Sequence, residues 1–202
     1  MWNRLWKAAA SILHGHNQMT LTQGMHYARI EHWRRAAVRY RVETGCNYFD
    51  DLYQVHADLG LAFQWQGVRV VSHLTPAKER ETLLMGEFRP QGAGGVAPAL
   101  KSAIYRTLRC FLDRLGVLSF NVALYMPPIA GPANGEDWSD FPVIARLVDW
   151  GNPLNQTGDI GAMELYAANV IGTDPFFVAD QLRQEFDIRA ANAIGEYEER
   201  ML

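Results

Sequence analysis

Near the start of the chain, His14-Gly15-His16-Asn17-Gln18 puts two imidazoles and a carboxamide at every second residue. Side chains of an extended strand alternate between its faces, so the three line one wall if residues 13–20 are extended. Imidazole is largely unprotonated near neutral pH and can attack phosphorus, and a neighbour can fix which ring nitrogen keeps the proton. A carboxamide can hydrogen-bond a phosphate oxygen, but it cannot donate a proton to a leaving group as a histidinium does. Gln18 in place of a third histidine therefore favours group transfer over hydrolysis, with His16 as the attacking group. The H-x-H pair is also a metal-binding pattern, and taken alone it leaves that reading open.

Such a wall needs a sheet and helices to hold it. Ile30, Trp33, Ala37 and Tyr40 recur at helical spacing among Arg29, Arg34, Arg35, Arg39 and Arg41, which predicts a basic-faced amphipathic helix closing near Gly45. A second helix follows through Tyr48, Leu52, Val55 and Leu59 and stops at Gly60. Residues 61–65 and 68–72 read as strands joined by a tight Gln66-Gly67 turn, a unit that ends at Pro76. Residues 89–98 read as loop, and Pro98 opens a helix whose buried stripe is Leu100, Ile104, Leu108, Phe111 and Leu115, stopped by Gly116. Leu118, Phe120, Val122, Leu124 and Met126 alternate with smaller or polar residues, the clearest strand pattern in the chain, and Pro127-Pro128 ends it. Residues 129–140 and 151–161 read as loops around a strand at 143–150, and Asp174-Pro175 caps a last helix through Val178, Leu182 and Phe186. Helices and strands interleave, so the class is mixed α and β.

Composition narrows the partners. The 202 residues are 49% hydrophobic and 20% charged, enough to bury a real core. A net charge of −3 and a pI near 6.1 give no general attraction to nucleic acid or anionic membrane, so a phosphate-bearing ligand must be small and held locally. Cys46 and Cys110 make neither a disulfide framework nor a cysteine zinc site, which fits a reducing cytoplasm. The basic start and short apolar run at residues 1–13 lead into His-Gly-His rather than a cleavage site, and no apolar stretch is long enough to cross a bilayer.

The segment at residues 8–18, Ala-Ala-Ala-Ser-Ile-Leu-His-Gly-His-Asn-Gln, resembles the Ser, His-x-His-x-Gln segment of the galactose-1-phosphate uridylyltransferases, of the histidine-triad superfamily. Residues 119–128, Ser-Phe-Asn-Val-Ala-Leu-Tyr-Met-Pro-Pro, are similar to that family's strand leading into a proline-bearing loop, and residues 163–175 with the following Leu182-Arg183 resemble its C-terminal ending. The resemblance implies an α+β fold, an antiparallel sheet with packed helices, as one domain over residues 1–202 with the nucleophile strand at 8–20. It implies transfer of a nucleoside monophosphate from a nucleotide sugar to a sugar 1-phosphate through a nucleotidyl-His16 intermediate. Gln18 and Ser11 would contact the phosphate, and His14 matches a zinc ligand of some members. Glu31 lies near a glutamate ligand of a second metal, although a helix-surface carboxylate among arginines is the simpler reading. The resemblance further implies a homodimer and a chain that covers about the latter half to two-thirds of a typical member, while the composition gives no nucleic-acid or membrane partner. The alternatives are a diadenosine polyphosphate phosphorylase or adenylyltransferase, or a non-catalytic nucleotide-binding remnant.

The chain departs from the family where members carry a histidine-containing strand, since residues 141–147 read Phe-Pro-Val-Ile-Ala-Arg-Leu, and the family segment near Cys46 often holds a second cysteine that is absent here. His26, His32, His56 and His73 read as surface or boundary residues, and Gly92, Gly94 and Gly95 as a flexible loop. Asp137, Asp140, Asp149 and Asp159 surround the late strand without metal spacing, and Trp33, Trp65, Trp138 and Trp150 are expected in core or pocket walls.

Overall fold

A computed structural model describes residues 1–10, 16–21, 26–89, 95–96, 98–129, 135–154, 166 and 168–199, with backbone alone at 16, 88–89, 95–96 and 188–199. Its centre is an antiparallel sheet of seven strands: β1 (Trp2–Arg4), β2 (His16–Asn17), β3 (Ala62–Trp65), β4 (Val68–Ser72), β5 (Thr82–Gly86), β8 (Phe120–Tyr125) and β9 (Val143–Asp149). Across the sheet they run β2-β1-β8-β9-β5-β4-β3, and β6 (Phe88–Arg89) pairs separately with β7 (Gly95–Val96). Four helices complete the chain: α1 (Ala28–Thr44), α2 (Tyr48–Asp58), α3 (Pro98–Arg109) and α4 (Pro175–Glu199). Among the described residues, no helix is long and apolar enough to cross a membrane. The class is α+β, as expected.

The period of two in the strands sorts the apolar side chains onto two faces. Val68, Val70, Leu84, Phe120, Val122, Val143, Ala145 and Leu147 pack with Leu100, Ala103 and Phe111 near α3 and Val178, Leu182 and Phe186 of α4. Val71, Leu83, Met85 and Ile144 point the other way and pack with Ala37 of α1, Phe49 of α2, Trp138 and Phe141. Helices thus cover both faces. That explains why β5 escapes an alternation search: Thr82-Leu-Leu-Met is buried at every position, so it reads as a continuous apolar run. Strand β1 is likewise too short to show a period, and the β6–β7 ladder, apart from Phe88, falls in residues 89–98, the stretch expected to be loop.

Local chemistry sets the other boundaries. Gln66 and Gly67 both adopt positive φ, 47° and 82°, the geometry of a tight hairpin turn between β3 and β4. Asn47 caps α2 by accepting from the Phe49 and Asp50 amides, and Asp174 accepts from Phe176 N–H at 2.9 Å at the start of α4. Helix α3 continues as one π-helical turn over Cys110–Arg114 and ends at Gly116, whose φ is 63°. That turn buries Cys110, and desolvation pushes its thiol up to about 12.

Buried charge is paired. Arg146 donates from Nε to Glu81 Oε1 at 2.5 Å, and Glu81 also accepts from the Ala77 amide. His56 corrects the expectation of a surface residue: it is 4% exposed, and its ring spans Leu52 O at 2.7 Å and Leu74 N–H at 3.1 Å. The carbonyl can only accept and the amide can only donate, so Nδ1 carries the proton and the ring is a neutral staple between α2 and the end of the β4 unit. Leu84 is fully buried between neighbours on β4 and β9. Leu84→Ala should cost about 2–5 kcal/mol, read as a lowered urea midpoint with an unchanged slope.

Candidate active site

The histidine segment reaches the sheet through a short hairpin. Strand β2 pairs antiparallel with β1, Asn3 facing His16 and Trp2 facing Asn17; the Met1 ammonium donates to Gln18 O at 2.5 Å, and the Gln18 amide donates to Met1 O at 2.8 Å. On its other side β1 pairs with β8, where Asn3 faces Asn121, and Asn121 in turn faces Val148 of β9. One register row therefore runs His16, Asn3, Asn121, Val148. Gln18 lies just past β2 and is exposed. Ser11 and His14 fall outside the described residues, so within the expected strand at 13–20 the described ladder is His16–Asn17.

Polar contacts converge on this row. Asn121 donates from Nδ2 to Asn3 Oδ1 at 2.7 Å and to the Ala8 carbonyl at 3.0 Å, while its Oδ1 accepts from the Trp150 indole N–H. Ser119 Oγ donates to Arg4 O at 3.0 Å, and Lys7 Nζ donates to Asn152 O at 3.2 Å. Trp150 is held from both ends: its amide donates to Ser119 O at 2.8 Å, and Lys78 Nζ lies 4.9 Å from the centre of its ring. Next to it, buried Asp149 pairs with Arg80 and accepts from Gly151 N–H at 2.7 Å, and burial raises its carboxyl above the usual range. Sequence reasoning placed Trp150 in a wall and passed over Asn3 and Asn121. The signal available for Asn121 was a carboxamide inside the most regular apolar strand of the chain.

Glu31 belongs to a different group. Its Oε2 accepts from Arg34 Nε at 2.8 Å, and its Oε1 from Arg34 Nη2 at 2.7 Å and Arg35 Nε at 2.6 Å. The Arg34 contact above all holds its carboxyl at about 2 rather than the ordinary 4.5. His26 Nε2 lies 3.0 Å from Glu136 Oε2, which also accepts from the Trp138 indole at 3.0 Å, and Arg34 stacks 5.6 Å from the Trp138 ring. His26, Glu31 and Glu136 each offer a donor atom within 4.8 Å of the others. The donor set nevertheless fits a cation poorly, since both Glu31 oxygens already serve guanidinium groups that an ion would have to displace. The cluster, extended by Arg41 with Asp137 and Asp140, ties residues 136–140 to α1. Asp149, by contrast, is part of the Trp150 corner.

A broad groove of about 1090 Å³ opens beside this latch, between the start of α2, the β3–β4 turn and residues 127–129 and 135–142, lined by Asp50, Arg69, Glu87 and Trp138 among others. It lies at the Tyr125 end of β8, whereas Asn121 is near the opposite end. This groove is thus set apart from the histidine row.

No family model and no curated protein matches the sequence. Solved structures do match the fold. An ADP-glucose phosphorylase from Arabidopsis thaliana with bound ADP-glucose superposes with a TM-score of 0.65 at 14% identity, over 90% of this chain and 57% of that one. The chain has the uridylyltransferase fold. A uridylyltransferase and a uridylyltransferase mutant each superpose with a TM-score of 0.60 at 15% and 14% identity, over 79% of this chain and 52% of theirs. The chain therefore spans little more than half the length of these uridylyltransferase-fold proteins.

The depressed carboxyls of the latch make a pH prediction. A carboxylate whose folded pKa lies below its unfolded value adds stability that is complete above the unfolded pKa and disappears as pH falls through the folded one. For Glu31 that window runs from 4.5 down to about 2. Glu31→Gln should lower the urea midpoint at pH 7, and the gap to the parent protein should close as pH falls through that window.

Proposed function

We propose that the chain is a nucleotidyltransferase of the hexose-1-phosphate uridylyltransferase type, moving a nucleoside monophosphate from a nucleotide sugar to a sugar 1-phosphate. The observation that carries the reading is that His16 and Asn17, within the His-x-His-x-Gln sequence, form an edge strand of a sheet that has the uridylyltransferase fold. In the first half-reaction, an unprotonated nitrogen of His16 attacks the donor's α-phosphorus. The N–P bond forms as the bridging P–O bond breaks, and the oxygen leaves with its electron pair on the sugar 1-phosphate. In the second half-reaction, a phosphate oxygen of the acceptor displaces His16 and regenerates it. Neither half needs an acid strong enough to protonate a poor leaving group, because phosphate leaves as an anion. A carboxamide at Gln18 suits that chemistry: it hydrogen-bonds a phosphate oxygen without supplying a proton. Ser11 would add a second phosphate contact. Zinc enters the reading at His14, the homodimer comes with the resemblance, and the cysteine usage fits a reducing cytoplasm.

A second reading takes inorganic phosphate as acceptor and an adenine nucleotide as donor. It is favoured by the likeness to a phosphorylase whose solved structure holds ADP-glucose. The donor and acceptor preferences separate the two. A non-catalytic remnant would bind nucleotides saturably without turnover.

The test is covalent labelling. Protein incubated with UDP-glucose or ADP-glucose carrying radiolabel at the α-phosphate should retain an acid-labile, alkali-stable phosphoramidate, and His16→Ala should lose it. Label persisting on the His16→Ala protein sinks the mechanism. Uridine donors with sugar 1-phosphate as acceptor support the first reading; adenine donors with phosphate support the second.

A further inference from the structure

We propose that Asn121, oriented by the Trp150 indole, is a positioning residue that turns the donor end of the Asn3 carboxamide toward the register position of His16. The proposal rests on the nucleotidyltransferase reading for its catalytic consequence, but its geometry stands apart from that reading.

The two ends of an amide side chain are distinguished by the partners they meet. Two partners of Asn121 have a single role. The Trp150 indole N–H can only donate, so the atom facing it must be Oδ1. The Ala8 carbonyl can only accept, so the atom 3.0 Å from it must be Nδ2. The orientation of Asn121 is thus fixed twice. Its Nδ2 also lies 2.7 Å from the Asn3 side chain, which must answer with its oxygen. The Asn3 Nδ2 is then left turned away from β8. Strand β1 has β8 on one side and β2 on the other, and Asn3 is in register with His16. Two N–H donors are thereby offered on the row of the nucleophile strand, where they suit an oxygen-rich anionic ligand such as the phosphoryl group of the donor.

The Ala8 contact gives Asn121 a second role. Ala8 is buried and closes a single 3-10 turn, Trp6–Ala8, from which the chain departs toward β2. One carboxamide therefore fixes both β1 and the root of the segment that carries His16. The corner behind it is braced as well, because Ser119 holds both the Trp150 amide and, through its hydroxyl, the Arg4 carbonyl.

The decisive variant is Asn121→Asp, which keeps the shape and the acceptor for Trp150 but has no donor for Asn3. Asn3 must then flip and present its oxygen instead. Asn3→Asp keeps the oxygen that answers the Asn121 NH2 and replaces only the amino group turned away from β8. Single-turnover labelling by saturating UDP-glucose or ADP-glucose should slow about tenfold to a hundredfold in Asn121→Asp, as for a small misplacement beside reacting atoms. Because the Ala8 carbonyl also loses its donor, the melting temperature should fall by about a few degrees, as for one lost hydrogen bond. A 15N spectrum of the side-chain amides should show the Asn3 NH2 pair displaced in Asn121→Asp and, in the parent protein, shifted when nucleotide sugar is added. Labelling at the parent rate, or an Asn3 pair unmoved by Asn121→Asp, overturns the proposal. If Asn121→Asp does not fold, Asn3→Asp decides by the labelling rate: slowing in the same range supports the proposal, and the parent rate overturns it. If the parent protein takes no label, the nucleotidyl-histidine mechanism falls, and the amide spectrum alone decides the orientation.

Discussion

Strand β8 must satisfy two unlike neighbours at once. On one side it pairs over its whole length with β9, from Phe120 facing Asp149 to Tyr125 facing Ile144, inside the most buried part of the sheet. On the other it receives β1 at Phe120–Val122. The first pairing is fixed by apolar side chains with no alternative face to turn to, because a slip of one residue would send Phe120 and Val122 to the wrong side. The second pairing inherits that register. Because β1 is three residues long and β2 two, they contribute little cohesion of their own, and their position is dictated by β8 through backbone pairing, Asn121 and Ser119.

Much of this was legible in residue types. The helix at residues 28–44, the Gln66-Gly67 hairpin, the Pro98 start, the alternating strand at Phe120 and the Asp174 cap each depend on local chemistry, and each stands where local chemistry put it. What escaped was decided at a distance. The β5 run gives no period because both its faces are covered, and Trp-Asn-Arg at residues 2–4 becomes a strand because β8 offers it an edge. The site divides similarly. The motif around His16 and Gln18 is local and readable, whereas Asn3, Asn121 and Trp150 come from three segments that only tertiary pairing brings together.

The charged residues show the same division. Arginines on α1 that looked like a solvated face include Arg34 and Arg41, which reach Glu31, Asp137 and Asp140. Opposite charges there do not attract a ligand; they fasten the segment after β8 to the helix that follows the histidine strand. Arg146, on β9, is committed to Glu81. A guanidinium locked in a buried pair cannot act as an acid or base near neutrality. Strand β9 stands in the middle of the sheet, with β8 between it and the β1–β2 hairpin at one edge.

The two cysteines give the protein a built-in clock. Cys46 is exposed, while Cys110 is buried in the π-helical turn with its thiol pushed up to about 12. Thiolate is the reactive form, so a thiol reagent at neutral pH meets one site in the folded chain and a second when the turn after α3 opens. The lag between the first and second modification thus measures how often this side of the core comes apart, in a protein carrying no added probe.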